Sequence, residues 1–122
     1  MKQPTVFVSI ESHGGPDVVA RALKAAIEIG GAESVEQLVQ GDVEADIVVT
    51  NSVRIALRMV KETERTSIVI MHSERQEREE AEAFASRYPY RVHTAPILGA
   101  AEGQMAIVPF LFNLIAEKAK EV

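Results

Sequence analysis

A chain of 122 residues with 47% hydrophobic and 25% charged residues has the composition of one globular domain, long enough to bury a core without staples. The formal net charge of −5 argues against a nucleic-acid partner, which needs a positive patch for its phosphates. The absence of cysteine excludes disulfides, thiolate metal sites and cysteine nucleophiles.

Thr5 to Ile10 is the first expected strand, and Met1 to Pro4 leads straight into it with no signal-peptide pattern. Glu11-Ser12-His13-Gly14-Gly15 forms its exit loop. Pro16 suits the first position of a helix, where its missing N–H is not needed, and Asp17 suits the positive end of the helix dipole. Val19, Leu23, Ala26 and Ile27 supply the buried face, and Gly30-Gly31 ends the helix. The next stretch reads two ways. Val35, Leu38 and Val39 are spaced as on a helix, with Ser34 and Gln37 as a capping box, but a short edge strand at Glu33 to Val39 also closes a sheet.

Asp46-Ile47-Val48-Val49-Thr50-Asn51-Ser52 organises the rest. Four β-branched residues in a row, Ile47 to Thr50, suit a strand covered on both faces at the centre of a parallel sheet. Small polar residues end it, and a helix follows at once from Val53 to about Glu64, with Val53, Ala56, Leu57 and Val60 on its inner side. Asn51 or Ser52 caps that helix. Ser67 to His72 is another strand, and Ser73 caps a helix from Glu74 to about Tyr88. Ala81, Phe84, Ala85 and Tyr88 form its buried stripe; Glu74, Arg75, Glu77, Arg78, Glu79, Glu80 and Glu82 form a solvated face with i, i+4 pairs such as Glu74–Arg78. Tyr90 to Ala95 is a strand closed by Pro96. The last helix carries Phe110, Leu111, Leu114 and Ile115, with Lys118 and Lys120 at its negative end. Pro109 either starts it or kinks a longer helix from about Glu102. The longest nearly uncharged run, Val92 to Ala116, is broken by glycine and proline and holds Glu102, so no membrane span is expected, and the expected location is cytoplasmic.

Alternating strands and helices predict a three-layer α/β sandwich of flavodoxin-like type, with four to five parallel strands in the order 2-1-3-4-5 and right-handed crossovers. In such sheets a site forms at the carboxyl ends of the strands. There the topology gathers Ser9, Glu11, Ser12, His13 and Gly14 with Thr50, Asn51, Ser52, His72, Ser73 and Thr94. Hydroxyls, amides and helix N-termini in that arrangement suit a small anion, such as a phosphorylated or carboxylated metabolite. The same residues serve equally as helix caps and turns. Gly14-Gly15 has neither the dinucleotide fingerprint nor the Walker lysine. His13, His72 and His93 sit on separate elements with no local metal-ligand spacing, and His93 faces away from the site if Thr94 faces it. No metal or other cofactor is expected. A nucleophile–base–acid set is not evident, and the G-x-S-x-G elbow is absent, so nothing requires an enzyme. Phe110, Leu111, Phe112 and Leu114 surround much of the last helix, which makes it a candidate homodimer seam.

From Ala45 to Pro96 the chain resembles a two-component receiver domain. Asp46-Ile47-Val48-Val49-Thr50-Asn51 resembles the strand ending in the family's phosphorylated aspartate, with Asn51 in its place. Thr66 to Ser73 resembles the strand ending in the switch hydroxyl, with His72 or Ser73 at that position. Thr94-Ala95-Pro96 resembles the family's Lys-Pro pair with Ala95 replacing the lysine. The acidic pair that chelates Mg²⁺ in receivers is here Ser9-Ile10 or Glu11-Ser12. The resemblance therefore implies a degenerate member, a pseudo-receiver without phosphoacceptor chemistry, acting in signalling through protein contacts. Ala45 to Arg54 also resembles the third strand and turn of the IIB components of sugar phosphotransferase systems, whose phosphate-carrying cysteine is missing here. The expectation is a regulatory or protein-interaction domain, with a protein partner or a second copy of itself bound through the last helix.

Overall fold

The computed structural model describes residues 4–10, 18–35, 45–72, 75–96 and 107–120. The elements run β1 (Thr5–Ser9), α1 (Val18–Ile29), β2 (Glu33–Val35), β3 (Ile47–Thr50), α2 (Val53–Glu62), β4 (Ser67–His72), α3 (Arg75–Ala85), β5 (Val92–Pro96) and α4 (Ile107–Lys120). The strands form a five-stranded sheet in the order β2-β1-β3-β4-β5, with every pair parallel. All four side chains of β3 and all six of β4 are buried, as central strands covered on both faces must be.

Pleating divides the sheet residues between two helical layers. Val6, Ile47, Val49, Val69 and Met71 meet Leu23 and Ile27 of α1 and Ile107, Leu111 and Ile115 of α4 on one face. Val48, Ile68, Ile70 and Val92 meet Ala56 and Met59 of α2 and Ala81 and Phe84 of α3 on the other. The result is the expected flavodoxin-like three-layer sandwich.

The ambiguous stretch after the two glycines pairs as an edge strand at Glu33–Val35, beside β1; residues 36–44 lie outside the described set. Two further details differ from the sequence reading, and a third, Pro109, falls near one of its two alternatives. Leu57 is 37% exposed, and Met59 takes the buried place. The inner arc of α2 runs through Ala56, Met59 and Thr63, and Leu57 lies about 100° around the helix from Ala56. Tyr90 is not in β5. The N–H groups of Arg91 and Val92 both donate to the Tyr88 carbonyl (3.1 and 2.9 Å), which holds a turn and leaves Tyr90 92% exposed. Pro109 is the third residue of α4, where a helix leaves N–H groups without intrahelical partners. It therefore sits inside the first turn, and the part of the chain from Glu102 to Ala106 lies outside the described residues.

The amino edge of the sheet is closed by side chains. The Asp46 carboxylate accepts from the Thr5 N–H (2.8 Å) and hydroxyl (3.3 Å). Thr66 Oγ1 donates to the Ala45 carbonyl (2.7 Å). Arg91, just before β5, donates to Thr63 Oγ1 (2.7 Å) and to the carbonyls of Thr66 (3.2 Å) and Val60 (3.3 Å). The last of these carbonyls belongs to the final turn of α2, where acceptors are left over and a cation is favoured.

Candidate functional site

At the opposite, carboxyl edge the register sets Ser9 beside Thr50, Thr50 beside Ile70, and Ile70 beside Thr94. Neighbours in register share a face, so Ser9, Thr50 and Thr94 lie with Ile70 on the α2/α3 side. His72, two residues beyond Ile70 and beside Pro96, belongs to the same side. Thr50 is fully buried and His72 is 8% exposed; Ser9, Asn51, Ser52 and Thr94 are half-buried.

Local chemistry accounts for two of these groups. The Ser52 N–H donates to Thr50 Oγ1 (3.1 Å). Ser52 takes extended backbone angles, and its Oγ accepts from the Ile55 N–H (3.4 Å) while its carbonyl accepts from Ala56 (3.1 Å). This is an N-cap, satisfying donors that the first turn of α2 cannot satisfy itself. Thr50 and Ser52 thus turn the chain from β3 into α2.

His93 falls in the row Val8–Val49–Val69–His93 and so faces the other layer, away from Thr94, as the alternation requires. Its ring meets Phe110 edge-on at 5.6 Å between centroids. Burial pushes its pKa below the usual imidazole value; Glu117 opposes that shift and Lys118 adds to it.

Of the site residues named from sequence, Asn51, Ser52, His72 and Thr94 are at this edge. Glu11, Ser12, His13, Gly14 and Ser73 lie outside the described residues. Among the described residues no three histidine, aspartate or glutamate side chains gather as a metal site, and no helix is long and apolar enough to cross a membrane. Of the α4 residues that suggested a seam, Leu111 and Leu114 are in the core, Phe110 packs on His93, and Phe112 lies over Gly30 but stays 37% exposed. Two features escaped the sequence reading. One is Arg91, whose sequence signal is only an arginine ahead of a buried strand. The other is the outer face of α2, where exposed Arg54, Arg58 and Lys61 recur at the i, i+4, i+7 spacing of one helical stripe. Comparison with models of protein families, with curated proteins and with solved structures finds no match.

Proposed function

We propose that this chain is a non-catalytic regulatory domain that works through protein contacts, a pseudo-receiver in architecture. The observation that supports it is the state of the β3 exit. In a receiver-like chain this turn presents the phosphoacceptor. Here it carries the amide of Asn51, flanked by Thr50 and Ser52, which are held in the cap of α2. An amide cannot form an acyl phosphate. The partner is a protein or a second copy of the chain.

A second reading has its own support. Ser9, Thr50, His72 and Thr94 share one face of the sheet at its carboxyl edge, an arrangement suited to a small anion beside the N-terminus of α2. One experiment separates the two. Thermal midpoints are measured with inorganic phosphate, sugar phosphates, nucleotides and divalent cations, and the mass is measured by light scattering in the same buffers. A ligand that binds only the folded state stabilises it by about 2.7 kcal/mol at a hundredfold excess over Kd. The interaction reading expects no shift with any of them. A clear shift with one class overturns it in favour of the anion site.

A further inference from the structure

We propose that the face formed by α2 and α3 docks a second copy of this chain, with α2 of each copy lying against α3 of the other. The inference rests on the interaction reading above and names its partner.

The two helices are neighbours on one side of the sheet and carry opposite charge. α2 bears Arg54, Arg58 and Lys61 against the single acid Glu62, a net of +2. Ala56 and Met59 point inward, so the basic stripe is the outward one. α3 bears Glu77, Glu79, Glu80 and Glu82 against Arg75 and Arg78, a net of −2. With Ala81 and Phe84 buried in the core, its acidic residues from Glu77 to Glu82 are exposed. Leu57 adds a partly exposed apolar side chain to the α2 surface, and exposed Ala83 leaves room on α3.

Direction decides how two such faces meet. α2 and α3 each leave the carboxyl end of a strand in one parallel sheet, so they run the same way. A two-fold axis lying along the helices, between them, sets α2 of one copy over α3 of the other in both halves of the interface. An axis across the helices sets α2 over α2 and α3 over α3, like charge on like. The charge pattern therefore selects the first arrangement, and an isologous pair satisfies both complementary contacts at once. The Arg58–Glu62 and Arg78–Glu82 pairs within each helix are about half or more exposed. Such pairs hold little energy, and their members can exchange partners on docking. The whole chain is negative, so electrostatic attraction between copies needs a bipolar patch of this kind, and that attraction weakens as salt screens it.

The test uses two charge-reversed variants, R58E/K61E on α2 and E80K/E82K on α3, with helicity checked by circular dichroism. The unmodified chain is expected to sediment as a dimer at low ionic strength and to dissociate in high salt. Each variant alone is expected to be monomeric, since reversal sets like charge against like. Mixed in equal amounts, the two variants are expected to form a heterodimer, because the reversed helices now match each other. A chain that is monomeric at every salt concentration overturns the proposal. So does a dimer that high salt does not weaken, or a mixture of folded variants that stays monomeric. The salt series on the unmodified chain keeps the test decisive if a variant misfolds. Failure here, with no ligand shift in the thermal screen, leaves the interaction reading standing with a different partner. A ligand shift removes that reading itself.

Discussion

Arg91 ties the start of β5 to the distant 60–66 stretch that leads from α2 into β4. Its guanidinium reaches the last turn of α2, Thr63 and the Thr66 carbonyl, which are 25 to 31 residues away. A rigid fork of donors suits several acceptors at fixed angles, and an ammonium cannot reproduce it. Arg91→Lys is therefore expected to lower unfolding stability by about 1.5–3 kcal/mol, the range for hydrogen bonds to a charged group, read as a shift in urea midpoint at constant slope. A lysine variant within about 0.5 kcal/mol of the parent, the level of an ordinary surface change, would remove the clamp as a stabilising feature. His93 makes a different kind of prediction. Burial is the largest cause of its lowered pKa, so the folded state resists protonating it. Above the ordinary imidazole value of about 6.5 the ring is neutral in both states and costs nothing. As pH falls below that value the unfolded chain takes up the proton first. Stability is lost as pH falls through the lower folded pKa, and the loss is complete beneath it. His93→Phe keeps an aromatic edge against Phe110 and removes the titration. Its melting temperature is expected to fall less than the parent's between about pH 7.5 and pH 5, and parallel curves would show that His93 carries no such linkage.

The end of α1 is set by two glycines with different duties. The Ala32 N–H donates to the Ile27 carbonyl (3.0 Å) and the Gly31 N–H to Glu28 (3.2 Å), the paired bonds of a Schellman ending, with Gly31 at φ +89°. Buried Ala32 and Ile27 make its apolar contact. Gly31→Ala is expected to cost roughly 1–2 kcal/mol through backbone strain alone. Gly30 is glycine for another reason: a Cβ there would stand 2.9 Å from Phe112 Cδ1 and 3.3 Å from the Ala26 carbonyl. Phe112→Ala should thus reduce the cost of Gly30→Ala by about 0.5 kcal/mol or more while leaving that of Gly31→Ala unchanged, a double-mutant cycle that equal couplings at both positions would overturn. These glycines were legible as a helix stop because punctuation of that kind is local. The central strand was legible too, since four β-branched residues leave little choice, and its register then placed His93 and Thr94 on opposite faces. Distant partners were less legible. Whether Glu33 to Val39 paired as a strand depended on β1 being alongside. Which of Leu57 and Met59 is buried depended on the rotation of α2 over the sheet. Tyr90 read as strand because the Tyr88 carbonyl that holds the turn carries no mark in the sequence. At the candidate site the residue types were right for a sheet edge, but types alone did not separate Ser52 as a cap from Ser52 as a ligand; the Ile55 N–H does.

At the scale of the whole molecule the structure is stiff through its centre and different on its two sides. β3 and β4 are buried throughout and flanked by paired strands, whereas β2 is a three-residue edge. Amides of β3 and β4 should exchange hydrogen only through global unfolding, and those of β2 through local opening. This gradient also makes exchange a probe of the two candidate contact faces. They lie on opposite sides of the same sheet, α2 with α3 and α1 with α4. Docking across α2 and α3 should slow exchange in those two helices as protein concentration rises at low salt, and leave α1 and α4 as they are in the monomer. A seam through α4 should do the reverse, with protection gathering around Phe112 and the end of α1, where Ile29 is exposed. Either contact slows β3 and β4 alike, because a partner that binds only the folded chain stabilises it against global unfolding, so the central strands report association and the helices report which face carries it. Added protection in α2 and α3 that disappears in 1 M salt, where the screening length falls to about 3 Å, is the outcome expected of a charge-built interface. Among the helices, added protection in α1 and α4 alone, insensitive to salt, would assign the contact to the apolar side and return the last helix to the role its sequence suggested.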